Sequence, residues 1–200
     1  MKKYIIITLM SFLCFGSYAQ YNDEDFADTT ATDSAAIVDL IRTQVVERIC
    51  GIEFGTSYGE AKRMLNNKYG TPDVDDYDKQ LIVYKNKKYA GIDFDFILFH
   101  FENDGNTSYM NGCLFSISAK TTAEAKQKRE MIFNKLNEKY YMKSEVDETG
   151  FKFYYGGISP LSEGPVIFLN IIKNKKDTYN CGLYSVQLLY GPFNYVKEEF

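Results

Sequence analysis

The sequence predicts an α+β fold in which two tandem helix-plus-antiparallel-sheet repeats share a continuous sheet. Three observations lead there. Residues 52–72, IEFGTSYGEAKRMLNNKYGTP, read as a short strand, a glycine turn, a capped helix and a Gly-Pro exit. A looser copy of that pattern recurs about 64 residues later. Elsewhere the chain runs in alternating apolar stretches bounded by turn residues, as antiparallel strands do.

Residues 1–19 have the layout of a secretory signal peptide. Lys2 and Lys3 give the charged end, residues 5–15 are an apolar run too short to span a membrane, and Ser17-Tyr18-Ala19 is a small-x-small cleavage site. Leu13 precedes Cys14, where lipid attachment needs a small residue, so the expected product is a periplasmic or secreted protein and not a lipoprotein. Removing these residues takes away two lysines and no acid, moving the formal charge from -4 to -6. A mildly acidic chain without a basic cluster is a poor nucleic-acid binder, because phosphate neutralisation needs Lys and Arg. Residues 20–33 carry Asp23, Glu24, Asp25, Asp28 and Asp33, no base and few apolar groups, which predicts a disordered acidic leader.

The first repeat is expected over residues 34–112 and opens with a helix over 34–48. Ser34 is its cap, with Ile37, Ile41, Val45 and Ile49 at intervals of four; the β-branched content leaves a strand as the alternative. Ile52 and Phe54 then alternate as a half-buried strand, and Gly55 permits the sharp turn. Ser57-Tyr58-Gly59-Glu60 fits a capping box, with Ala61, Met64, Leu65 and Lys68 forming the inner stripe and Gly70 and Pro72 stopping the helix. Lys68 is expected to lay its methylenes on that stripe and keep its charge wet. Residues 71–79 form an acidic loop with Asp73, Asp75, Asp76 and Asp78; a calcium loop would need Asp or Asn at Tyr77, Gly at Asp78 and Glu at Tyr84, so it reads as solvated and no metal is assigned. Residues 80–86 and 91–101 form a hairpin, the second strand being central and covered on both sides toward its end. Asn103-Asp104-Gly105 turns the chain into a strand over 110–120.

The second repeat is expected over residues 113–200. Thr121-Thr122-Ala123-Glu124-Ala125-Lys126 repeats the spelling of residues 57–62, and Asn137-Glu138-Lys139-Tyr140 answers Asn66-Asn67-Lys68-Tyr69. Its helix buries Ala125, Ile132, Leu136 and Tyr140. Strands follow at 151–155, 166–173 and 183–190; residues 151–155, 166–173 and 180–185 match 81–85, 92–101 and 111–116 in order. Residues 156–165, GGISPLSEGP, are the most loop-like stretch, and the tail over 192–200 has no clear period.

Few residues offer chemistry. His100 is the only histidine, so there is no His-pair zinc site, and its place between Phe99 and Phe101 reads as a packed ring. No glycine-rich phosphate loop is present, and no catalytic residue or cofactor is assigned. Beyond the leader the cysteines are Cys50, Cys113 and Cys181. Export permits a disulfide, with Cys113 and Cys181 the expected pair and three buried thiols the alternative. Tyr154, Tyr184 and Tyr190 are candidate binding residues, since tyrosines give stiff, amphipathic contact area; the competing reading packs them beneath the helix with their hydroxyls at the rim.

Phe54-Gly55-Thr56-Ser57-Tyr58-Gly59-Glu60-Ala61, then Leu65, then Tyr69-Gly70-Thr71-Pro72, resembles the opening of the β-lactamase-inhibitor-protein-like repeat, shared by small outer-membrane assembly lipoproteins of the SmpA/OmlA type. The resemblance implies a helical segment against an antiparallel sheet, a unit carried twice, and protein binding. It carries over no partner and no binding residue. The expected function is therefore an exported, non-enzymatic binding protein that contacts an envelope or extracellular protein through a sheet face or the 156–165 loop. The alternative is a small-ligand or glycan-binding module using exposed tyrosines.

Overall fold

The computed structural model describes residues 44–103, 105, 107–159, 162, 164–174 and 182–191. The expected signal peptide, the acidic leader, most of the expected first helix and the tail lie outside the described residues. Elements follow as β1 (Arg48–Ile49), β2 (Ile52–Glu53), α1 (Tyr58–Tyr69), β3 (Val74–Asp76), β4 (Leu81–Tyr89), β5 (Ile92–Asn103), β6 (Ser108–Ala119), α2 (Thr122–Asn137), β7 (Met142–Val146), β8 (Lys152–Gly156), β9 (Ile167–Lys173) and β10 (Tyr184–Tyr190). The fold is α+β. Eight strands form one antiparallel sheet in the order β3-β4-β5-β6-β10-β9-β8-β7, and β1 and β2 form a separate hairpin.

Each helix leads into four strands, α1 into β3–β6 and α2 into β7–β10. The two four-stranded groups join where β10 pairs with β6, from Tyr184 opposite Ala119 to Tyr190 opposite Cys113. A boundary after residue 112 falls inside β6, which runs unbroken from one group to the other.

Both helices cover the same side of the sheet. Tyr58 of α1 lies 4.6 Å from Phe101 between ring centroids, and the Tyr84 hydroxyl donates to Asn66 Oδ1 at 3.0 Å. Phe133 of α2 stacks on Tyr154 at 4.0 Å. The register places Ile82, Phe99, Cys113, Tyr190 and Ile167 on this side, one behind another across five strands. All are buried, together with Ala61, Leu65, Ala125, Ile132 and Leu136 from the helices. The β1–β2 hairpin adds Ile49, Cys50 and Ile52 to the same core. Its turn uses Cys50 and Gly51 at φ 58° and 89°, two left-handed residues as a tight hairpin requires.

Several expectations change. The first helix does not reach Arg48: Val45 pairs in parallel with Ile158, and Arg48 and Ile49 are extended, which is the β-branched alternative. Ser57 stands at the N-cap of α1 but makes no side-chain cap bond. The lead-in is held by its backbone instead, since the Gly55 amide donates to Met110 O and the Met110 amide to Thr56 O, both at 2.8 Å. The acidic loop contains edge strand β3, and three of its four acids are engaged one by one. Asp73 accepts from the Lys85 amide at 2.7 Å, Asp75 from the Tyr58 hydroxyl at 2.6 Å, and Asp76 from the Lys79 amide at 3.1 Å. Lys68 is held more specifically than by wet charge, donating to Cys50 O at 2.7 Å. The expected second cover over β5 is absent among the described helices, both of which lie on the other side.

Candidate interaction face

The side of the sheet that neither helix covers carries the residues of opposite parity. Their register is continuous. Val74 of β3 lies opposite Val83 of β4, Val83 opposite Leu98 of β5, and Leu98 opposite Leu114 of β6. Leu114 faces Leu189 of β10, Leu189 faces Phe168 of β9, Phe168 faces Tyr155 of β8, and Tyr155 faces Lys143 of β7. One row therefore crosses all eight strands, apolar or aromatic at seven and ending in a lysine. At ~4.8 Å per strand its seven steps span roughly 34 Å. Leu98 is buried, while Val83, Leu114, Leu189, Phe168 and Tyr155 are half-buried and Val74 is exposed. A contiguous apolar strip on a face that no described helix covers is the kind of feature that marks an interaction site.

Next to this row runs a mixed one: Lys85, Phe96, Ser116, Gln187 and Asn170. Ser116 Oγ is buried and has no hydrogen-bond partner among the described residues; a buried hydroxyl left so costs roughly 1–3 kcal/mol. On the other flank, His100 Nδ1 meets Asn111 Oδ1 at 2.6 Å, and Asn111 Nδ2 donates to Glu102 Oε2 at 3.0 Å. This network sits where the β5–β6 register shifts between His100 and Phe101. The bulge gives β6 one extra residue and re-aims Asn111. At the far end the Tyr155 hydroxyl donates to Glu145 Oε1 at 2.7 Å, a bond that raises the tyrosine pKa above its ordinary value.

The tyrosines expected to make a recognition surface lie on the opposite side. Tyr154 and Tyr190 are 5% and 4% exposed and belong to the core. Tyr154 donates to Glu130 Oε2 at 2.8 Å beneath α2, and burial pushes its pKa up to about 12. Tyr190 packs edge-on to Phe115 at 6.0 Å. Tyr184 is half-buried on that side, 6.1 Å from Phe151. All three lie on the helix side of the sheet, Tyr154 and Tyr190 in the core and Tyr184 partly buried against it. Cys113 is a free buried thiol, as is Cys50; Cys181, its expected partner, lies outside the described residues. Burial raises both thiol pKa values above their ordinary range. Among the described residues no group of three or more His, Cys, Asp or Glu side chains is placed to hold a metal ion.

Leu114, Phe168 and Leu189 were not singled out from the sequence. The available signal was parity: if Tyr184 and Tyr190 face the helices, then Leu189 faces away. Comparison of the chain with protein-family models, curated proteins and solved structures returns no match.

Proposed function

We propose that this chain is an exported, non-enzymatic binding module that docks a partner protein on the face of its sheet that no described helix covers. The observation that carries the reading is the row from Val74 to Tyr155, continuous in register and flanked by Lys85, Gln187, Asn170 and Lys143. An apolar strip with a polar border has the anatomy of a protein–protein interface. Tyr154, Tyr184 and Tyr190 lie on the helix side of the sheet, so the proposed contact moves from those rings to Leu114, Leu189, Phe168 and Tyr155.

The same reading includes a tandem origin. The order of elements, helix then four strands, occurs twice, and the paired stretches found in sequence fall on β4 with β8, β5 with β9 and β6 with the approach to and start of β10. That arrangement supports two copies of one unit and the resemblance to inhibitor-protein-like repeats.

The test is affinity capture from an envelope extract of the source cell, with the chain from Gln20 onward as bait. A stoichiometric protein lost on Leu189→Asp and on Phe168→Asp, with the circular dichroism of both variants unchanged, is the expected result. A partner that binds both variants as well as the parent sinks the assignment of the face.

A further inference from the structure

We infer that the outer edge of β7 is a self-association edge, where a second copy of this chain sets its own β7 antiparallel about Ser144 and joins the two sheets into one. This goes beyond the docking face proposed above and does not rest on it. β7 (Met142–Val146) ends the eight-stranded sheet and pairs with β8 on one side; no described strand lies on the other. Val146 is 65% exposed, and Lys143, Ser144 and Glu145 are exposed before it.

Backbone parity fixes which groups that edge offers. The Asp147 amide donates to Phe151 O at 2.8 Å. Antiparallel alternation then directs the amides and carbonyls of Glu145 and Lys143 to Phe153 and Tyr155 of β8. Met142, Ser144 and Val146 turn theirs the other way, out of the sheet. A row of outward backbone groups is a template for one more strand. Two copies set antiparallel about Ser144 place Ser144 opposite its counterpart and Met142 opposite Val146. Every outward group of one β7 then meets an outward group of the other.

Side-chain charge selects that register. Lys143 and Glu145 lie on one side of the sheet, opposite Tyr155 and Phe153. A lysine on an edge strand ordinarily repels a second copy. In the two-fold register Lys143 of each copy lies opposite Glu145 of the other, so both cross-strand pairs carry opposite charge, a favourable arrangement. A parallel, in-register arrangement would set lysine beside lysine and glutamate beside glutamate. The Tyr155 hydroxyl, 2.7 Å from Glu145 Oε1, holds that carboxylate on its face. On the other side of the sheet, exposed Val146 comes opposite Met142 of the second copy.

The opposite edge lacks this fit. β3 is three residues long, Val74-Asp75-Asp76, and two copies set about Asp75 oppose carboxylate to carboxylate. Asp75 and Asp76 also pair with Lys62 and Lys79 of their own chain. One self-complementary edge gives a closed two-fold dimer, whereas head-to-tail joining of two different edges gives an open array.

Sedimentation velocity on the chain from Gln20 onward, which contains every described residue, tests this. A series from about 1 μM to about 1 mM reads dissociation constants across that range. Expected is a reversible equilibrium that stops at the dimer. Lys143→Glu and Glu145→Lys each turn two opposite-charge pairs into like ones, and each should weaken the dimer roughly tenfold. The two variants mixed together restore opposite charges at both pairs, as does the double variant Lys143→Glu/Glu145→Lys. Both should associate as the parent does, a rescue that a damaged fold would not show. Amide hydrogen exchange locates the contact: Met142, Ser144 and Val146 should slow as the dimer forms. A parent that stays monomeric throughout the series overturns the inference. So does a dimer indifferent to both single variants, a mixture that stays monomeric, or a dimer lost on Leu189→Asp that leaves those three amides unchanged. The two readings fail separately, since Leu189-dependent capture of a partner reads the face of the sheet and the charge rescue reads its edge.

Discussion

Asp75 joins two elements through one carboxylate. It accepts from the Tyr58 hydroxyl at 2.6 Å and pairs with Lys62, both on α1, while its backbone belongs to edge strand β3. The Lys62 contact first, then the Tyr58 bond, hold its pKa below the ordinary carboxylate range. A carboxyl depressed in the folded state stabilises at pH values above its unfolded pKa of about 3.9, and that stabilisation is lost as pH falls through the folded pKa. Asp75→Asn is therefore expected to cost about 1 kcal/mol or less at pH 7, given solvent screening at this edge. The difference from the parent should shrink as pH falls below about 4. Urea melts at pH 7, 4 and 3 read it directly, and a difference that grows on acidification contradicts the sign. The chain spelled this residue only as one of four acids in a polar loop. Its role depends on Tyr58 arriving from seventeen residues away, which periodicity does not report.

The two helix starts share a spelling and differ in mechanism. At α2 the Thr121 hydroxyl accepts from the Glu124 amide at 3.1 Å, and Glu124 accepts from the Lys120 amide at 2.8 Å. At α1, Ser57-x-x-Glu60 offers the same pair of side chains, and the Ser57 oxygen makes no cap bond. Backbone pairing of residues 55–57 to β6 fixes the chain there instead. Thr121→Ala should therefore cost about 1 kcal/mol, in the usual range for a lost cap, and Ser57→Ala only a few tenths. Urea denaturation of the two variants compares them, and equal costs would mean that the Ser57 hydroxyl caps in solution. The elements themselves were legible because apolar spacing and local capping are properties of neighbours in sequence. Their ends were less so. The turns at Cys50 and Ala90 place non-glycine residues at φ 58° and 50° ahead of Gly51 and Gly91, so each hairpin closes one residue earlier than the glycine suggests. Asn86, at φ 51°, flips the parity of β4: Ile82 and Tyr84 face the helices before it, Tyr89 after it, stacked 4.9 Å from Phe115. Simple alternation along residues 81–89 fails at that point.

At the scale of the whole molecule, parity decides which residues each face of the sheet presents, and parity has a sign that one strand cannot supply. Alternation in β10 groups Tyr184, Val186, Leu188 and Tyr190 on one side and Ser185, Gln187 and Leu189 on the other. Both groups contain large apolar residues, so composition does not say which meets the helices. The answer comes from β6 and β9: Leu188 lies between Phe115 and Leu169, which are buried in the core, and Leu189 between Leu114 and Phe168, which are half-buried. The β6 pairings join residues some seventy positions apart and the β9 pairings some twenty, beyond the reach of any local pattern. The adjacent leucines make the sharpest test of the two faces. Leu188 is 3% exposed within the core cluster, so Leu188→Ala removes packed contacts and leaves a cavity, at a cost of about 2–5 kcal/mol. Leu189→Ala removes the same atoms from a surface that no described element covers and should cost less than half as much. Equal, large costs for both would mean a second layer that packs the helix-free face as tightly as the helices pack the other, and the row would then be core. A small cost at Leu189, combined with loss of a captured partner, places its side chain at an interface, since only there do stability and binding separate at one residue.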